Sequence, residues 1–196
     1  MTLITIPSSP AFTKSEWGFR RTVAMSESPF TGSTQVHKYD KAQWYAVLTL
    51  PPMKRSQAVE WQSFFMSCEG VANTFLLGDP DGKSVNGTAT TCSLGADVAL
   101  GDTEINLVIG AGNTINKGSY IQINSSSAAK LYMIVDNNTG NGLATIQPKI
   151  KAAAISSTGV TITAAKGVFR MESNDLSWSA NELSNYGISF SVIEAL

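Results

Sequence analysis

Aromatic side chains are spread unevenly along this chain of 196 residues. Every tryptophan and every phenylalanine lies before residue 84 or after residue 167. The stretch between these positions is built from Ala, Ile, Val, Thr, Gly, Asn and Ser, and its aromatic residues are Tyr120 and Tyr132 alone. Because a core is packed from the side chains that its own segment supplies, two such compositions predict two separate cores. We therefore predict a discontinuous outer domain over residues 1–83 and 167–196, interrupted by an inserted domain over residues 84–166.

The outer segments contain several strand patterns. Residues 43–50 alternate well enough for a strand, and the two prolines that follow end it because proline cannot donate to a β-ladder. Residues 34–40 alternate in the same way. Further strands are predicted at residues 74–77 and 186–193, with a turn at residues 78–82, and residues 167–172 are predicted to return the chain to the outer domain.

One outer segment changes from strand to helical periodicity. Between residues 56 and 68 the apolar positions recur at steps of three and four, which predicts an amphipathic helix. Ser56 is the expected N-cap, and Gly70 is expected to end the helix. The predicted apolar face consists of Ala58, Val59, Trp61, Phe64, Phe65 and Cys68.

The segment over residues 84–166 predicts a small antiparallel β-barrel or sandwich. Its candidate strands recur about every ten residues, a spacing typical of such folds, and turn sequences rich in Gly and Asn join them. The chain as a whole is therefore expected to be mainly β. The candidate strands are residues 104–109, 119–124, 130–136, 143–148 and 160–164.

Composition excludes most site chemistry. The chain has one histidine and two cysteines, so no Cys/His set has the spacing of a zinc site. The net charge of −1 disfavours electrostatic capture of nucleic acid or of an anionic membrane. No stretch reaches the roughly 18 apolar residues of a membrane span. We expect no cofactor, no metal, no nucleic-acid partner and no membrane partner.

Several fragments imitate catalytic or binding motifs without completing them. Residues 78–83 have the glycines and lysine of a phosphate loop, but the spacing is too short and no helix follows. The same residues lack the later ligands of a calcium loop. No serine or cysteine lies in a nucleophile-elbow context in which His37 could act as the general base. The sequence therefore nominates no catalytic residue, and we expect a protein that is not an enzyme.

The order of elements in the outer segments carries a family resemblance. Residues 35–39 and the strand at residues 43–50 precede a Pro-Pro pair, the helix with Trp61, and the strand that ends at Leu77. With the C-terminal strand at residues 188–193, this order resembles the distal tail proteins of long-tailed bacteriophages. The resemblance covers residues 1–83 and 167–196, and rests on element order and aromatic placement.

The resemblance implies a fold and a role. It implies a split β-barrel with one flanking α-helix that assembles as a homo-hexameric ring, with a second β-domain inserted. The expected partners are the tail tube protein, the tail-tip hub protein, and tail fibres or receptor-binding proteins. The expected location is the virion, at the phage tail tip, after synthesis in the host cytoplasm.

Two sets of residues are candidates for contacts with partners. An extended N-terminal arm up to Phe30, with Trp17 and Phe19, is the candidate subunit interface, together with His37 on a strand that faces solvent or a neighbour. The alternative is that these aromatic residues pack onto their own barrel. A rival function is a host-surface module that grips a glycan through Tyr120 or Tyr132, because sugars stack on exposed aromatic faces.

Overall fold

The computed structural model describes residues 1–180 and 185–196. About 45% of the chain lies in strands and 9% in helices, so the prediction of a mainly β fold is confirmed. The described part contains one α-helix, α1 (Arg55–Cys68), and these strands: β1 (Leu3–Ile4), β2 (Lys14–Glu27), β3 (Thr34–Thr49), β4 (Met53–Lys54), β5 (Thr74–Leu77), β6 (Ser93–Leu94), β7 (Glu104–Val108), β8 (Thr114–Ile115), β9 (Tyr120–Ile123), β10 (Lys130–Ile134), β11 (Asn138–Thr139), β12 (Gly142–Gln147), β13 (Val160–Thr161), β14 (Gly167–Met171), β15 (Trp178–Ala180) and β16 (Asn185–Glu194).

The larger sheet has eight strands. Its main path runs β1–β5–β14–β16–β3–β2, and β15 and β4 both pair with the first part of β16. The second half of β16 pairs with β3 on one side and with β14 on the other. Strand β16 therefore holds the N-terminal and C-terminal segments of the chain in one sheet.

Helix α1 covers one face of this sheet with aromatic side chains. Phe65 lies 4.9 Å from Phe190 between ring centroids, and Phe64 lies 5.2 Å from Phe75. Trp61 is 1% exposed and packs within the same cluster. Edge-to-face aromatic pairs of this kind add to the stabilisation that comes from burial alone.

The helix departs from the prediction at two positions. Lys54 occupies the N-cap and no side chain caps the helix, so Ser56 lies inside the first turn and its predicted capping role is wrong. Val59 is 48% exposed, although the other five predicted apolar positions are buried. Because Val59 comes one residue after Ala58, it points about 100° away from the buried stripe.

The smaller sheet has six strands in the order β13–β9–β10–β12–β7–β6. A bridge between Ser93 and Gly159 joins its two edges, and the Val160 N–H donates to the Cys92 carbonyl at 2.9 Å. The sheet is thus a nearly closed barrel. Five predicted strands of this region are present within two or three residues of their expected ends, whereas the two-residue strands β6, β8 and β11 were not predicted.

The buried apolar residues form two large clusters that meet at β10. The aromatic cluster lies between α1 and the larger sheet, and the aliphatic cluster fills the barrel. Leu131 belongs to the aromatic cluster and its neighbour Tyr132 to the aliphatic one, because successive side chains of a strand point to opposite faces. The Trp44 indole also donates to the Leu131 carbonyl at 3.0 Å. Strand β10 is therefore a wall that the two clusters share.

A buried ionic cluster lies where the barrel meets the larger sheet. The Glu194 side chain is fully buried, and its Oε2 accepts hydrogen bonds from the Trp44 backbone N–H, at 3.1 Å, and from Lys151 Nζ. Lys130 Nζ donates to the Ala195 carbonyl at 2.5 Å. Burial lowers the pKa of both lysines, and the Glu194 carboxylate opposes that shift. The Glu194 carboxylate is thus the counter-charge of Lys151, whereas Lys130 bonds to a backbone carbonyl.

We expect Phe65→Ala to lower the free energy of unfolding by about 3–5 kcal/mol, because it leaves a cavity between α1 and the sheet. The adjacent change Met66→Ala is the matched control, since Met66 is 65% exposed, and should alter stability by less than about 0.5 kcal/mol. Urea denaturation of both variants measures the difference. Equal losses would contradict the packing of the helix described above.

We expect Glu194→Gln to cost about 3 kcal/mol, because it removes the counter-charge of Lys151 inside the protein. The double variant Glu194→Gln/Lys151→Met should recover part of this loss, since no charge of the pair then remains buried. Glu172→Gln, which alters the more exposed pair with Arg20, should cost at most about 1 kcal/mol. Denaturation curves of the three variants test the role of the buried pair, and a double variant less stable than the single one would contradict it.

Candidate interaction surface

The most exposed part of the fold is the outer half of the β2–β3 hairpin, residues 20–41, here called the arm. Strand β16 pairs with β3 only as far as Tyr45, so beyond that point the ladder has two strands. Within residues 20–41 no side chain is buried, and all except Ser28 are exposed. The arm is thus a two-stranded ribbon that extends past the edge of the sheet.

The arm changes register near its base. Arg21 pairs with Ala42, but Val23 pairs with Lys38, so β3 has extra residues opposite Thr22. An irregularity of this kind bends a ladder and increases its twist.

Polar contacts fix the base of the arm to both sheets. Arg21 donates to Gln147 Oε1 at 2.6 Å, and Lys149 Nζ lies 2.7 Å from Asp40 Oδ1. The Lys149 contact lowers the pKa of the Asp40 carboxyl. Arg20 pairs with Glu172 of the larger sheet at 3.2 Å. These contacts connect the base of the arm to neighbouring segments of the chain.

One face of the arm carries three uncovered apolar side chains beside Lys38, which pairs with Val23. Val23, Met25 and Val36 are 51%, 68% and 53% exposed, and Met25 lies directly opposite Val36 in the ladder. At the tip, Phe30 is 96% exposed. Exposed apolar side chains gathered on one face are typical of surfaces that bind another protein.

The predicted interface residues fall into two groups. Trp17 packs edge-on against Phe169 at 5.5 Å between ring centroids, and Phe19 packs against Trp44 at 4.8 Å. Both residues are half-buried and pack on their own sheet, which was the alternative to an interface role. Phe30 and His37 lie on the arm and are exposed.

The expectation of an extended N-terminal arm is also corrected, because residues 14–27 form β2 and pair with β3, with the register change near Thr22. The exposed apolar residues Val23, Met25 and Val36 were missed. Their signal was present as alternating apolar positions on either side of the turn sequence at residues 28–33.

Of the two tyrosines proposed as glycan contacts, one is buried and the other is half-buried. Tyr132 is 0% exposed inside the barrel, so the prediction that it contacts a glycan is wrong in this structure. Tyr120 is half-buried, with its ring 5.7 Å from Trp44 and close against Gly82. Burial raises the pKa of each tyrosine to about 12.

The segment that imitates a phosphate or calcium loop forms a turn. Residues 78–82 form the predicted turn, in which the Asp81 N–H donates to Asp79 Oδ1 at 3.0 Å. Among the described residues, no group of three or more His, Cys, Asp or Glu side chains is placed to hold a metal ion. In the same part of the chain no helix has both the length and the apolar character needed to cross a membrane.

Both cysteines are free thiols, and we expect them to react slowly in the folded protein. Burial raises the pKa of Cys68 from 9.0 to about 11 and that of Cys92 to about 12. At pH 8 the smaller thiolate fraction should slow reaction with Ellman's reagent at least about 100-fold relative to a free thiol. In guanidinium both should react rapidly, and rapid labelling of either in the native protein would contradict the burial described here.

The arm is therefore the candidate interaction surface, a ribbon with three uncovered apolar side chains on one face and an exposed aromatic tip. No protein-family model matches this chain, and no curated protein matches it either.

Proposed function

We propose that this protein is a non-enzymatic virion subunit, a distal tail protein whose copies form a ring between the tail tube and the tail-tip hub. The observation that carries the proposal is the exposed arm, which supplies a surface for a neighbouring copy. The expected partners are the same chain in a homo-hexamer, the tube protein, the hub protein, and fibres or receptor-binding proteins. The site of action would be the phage tail tip.

The energetics of the arm support contact with a neighbour. A two-stranded ribbon alone is only marginally stable in water, and the arm has no third strand and no helix over it. Covering Val23, Met25 and Val36 would remove their apolar surface from water, worth roughly 25 cal/mol for each Å² buried. A protein copy that covers this face would stabilise both the arm and the assembly.

Charge also favours contact between copies. The arm has four basic and two acidic residues, a net charge of +2 within a chain whose net charge is −1. The rest of the chain is accordingly negative, so the arm of one copy is attracted to the body of another. The low total charge also limits repulsion when several copies meet around one axis.

The fold suits a ring in which each interface joins two different surfaces. In a closed ring each copy offers one patch and receives another, and an arm at one side of the body provides the first of these. In this proposal residues 1–83 and 167–196 act as a split β-barrel that forms the ring. Residues 84–166 act as the inserted domain of each subunit.

We expect the triple variant Val23→Ser/Met25→Ser/Val36→Ser to lose self-association while keeping its fold, because all three side chains are exposed in the isolated chain. Native mass spectrometry should detect rings that are multiples of the 20.9 kDa chain for the unchanged protein and monomers for the variant. The matched control is Leu143→Ser/Ile155→Ser, which alters equally exposed apolar residues of the barrel and should leave the rings intact.

The location is tested on purified virions. An antibody against this protein, imaged by negative stain, should label the tail tip of the phage that encodes it. Label on the capsid, or absence of the protein from purified virions, would refute the proposed role. Equal association by the triple variant and the control would refute the role of the arm.

A further inference from the structure

A groove lies at the end of the β2–β3 ladder opposite to the arm tip. It has a volume of about 580 Å³ and lies between β15, β16 and the chain around the end of β3. Leu50 and Ile188 close it from below, and Trp178, 39% exposed, forms one side. Thr49 and Ser189 line it with hydroxyl groups that contact each other at 3.2 Å.

The groove is uncharged and combines apolar side chains with hydroxyl groups. No Asp, Glu, Lys or Arg is among its described lining residues. Its hydroxyls are partly engaged within the protein, since Ser189 also donates to the Leu48 carbonyl at 3.3 Å. An occupant of matching chemistry would be an aromatic side chain carried by an uncharged polar segment.

The tip of the arm has this chemistry. Residues 28–33 read Ser-Pro-Phe-Thr-Gly-Ser and carry no charge, in contrast to the charged residues on both strands behind them. The tip is held in shape by hydrogen bonds of 2.9 Å from the Ser28 N–H to Ser33 and from the Gly32 N–H to Ser28. Phe30 projects from it with 96% of its surface exposed. The tip therefore presents an exposed aromatic side chain on a hydrogen-bonded turn.

One copy cannot fill its own groove. The ladder runs from the Lys14–Thr49 pair near the groove to the Glu27–Thr34 pair near the tip, a length of roughly 45 Å. Two surfaces of matching chemistry at opposite ends of one ladder suit a head-to-tail contact between copies.

We propose that Phe30 of one copy enters the groove beside Trp178 of the next copy. This inference rests on the proposed self-assembly and names its acceptor site. The Phe30 ring would pack against the indole of Trp178, while the hydroxyls of Thr49 and Ser189 border the polar residues of the tip. The arm behind the tip would lie across the neighbour, which covers the apolar face of Val23, Met25 and Val36.

Disulfide trapping between two variants tests this contact. The variants Thr31→Cys and Ser177→Cys are purified separately, mixed, and oxidised, so that Phe30 and Trp178 both stay in place. We expect a covalent dimer whose disulfide joins positions 31 and 177, as identified by peptide mass spectrometry. The native thiols should contribute little background because Cys68 is buried and Cys92 is half-buried.

A matched control and a dependence on Phe30 make the test specific. Ser127→Cys, on the surface of the barrel region, should not form the disulfide with Thr31→Cys. Adding Phe30→Ala to the Thr31→Cys chain should reduce the yield of the 31–177 disulfide at least about tenfold, as expected for a central aromatic contact.

The outcomes separate this inference from the proposed function. Rings that form without the 31–177 disulfide, or that link equally through Ser127→Cys, would overturn the groove as acceptor and leave the ring proposal standing. The groove would then belong to another occupant, such as a saccharide. A chain that is monomeric in solution and absent from tails would overturn both.

Discussion

The buried carboxylate of Glu194 is the contact on which the joining of the two sheets depends. It lies at the end of β16, where the ladder with β3 stops, and it accepts the Trp44 N–H that would otherwise lack a strand partner. The same carboxylate pairs with Lys151 from the chain that follows the barrel strand β12. Removing two charges from water is costly, and only an arrangement that keeps them together offsets this. A shifted barrel would therefore leave a buried charge without its partner.

The base of the arm contacts the same junction between the two sheets. Gln147, Lys149 and Lys151 alternate along one short segment and contact Arg21, Asp40 and Glu194 respectively. This segment thus holds β2, β3 and β16 at once. A protruding ribbon serves as a reliable contact only when its base is rigid, because a mobile ribbon would lose more entropy on binding. The polar segment beside the barrel is consequently what makes the arm a defined surface.

Periodicity predicted most elements, and its failures have physical causes. The helix and the longer barrel strands were found because burial on one face imposes a repeat that residue types reveal. Strands of two residues are too short to show a repeat. The exposure of Val59 depends on how wide the buried face of α1 is around the helix axis, which the sequence does not specify. For Trp17 and Phe19 the sequence left two readings open, a subunit interface or packing on their own barrel. An aromatic pattern does not specify whether the same chain or another copy covers the side chains. Tyr132 illustrates the same limit, because its burial results from barrel closure.

The sequence by itself determined the strand and helix content, the aromatic and aliphatic character of the two clusters, and the lack of a histidine and cysteine set for zinc. These follow from composition and local repeats, which act over a few residues. Tertiary structure alone decided that β10 serves both clusters, that Glu194 pairs with Lys151, which is distant in sequence, and that residues 20–41 leave the sheet uncovered. Each of these depends on which segments meet across the fold, and β16 ends its pairing with β3 at Tyr45 for reasons that no local pattern contains.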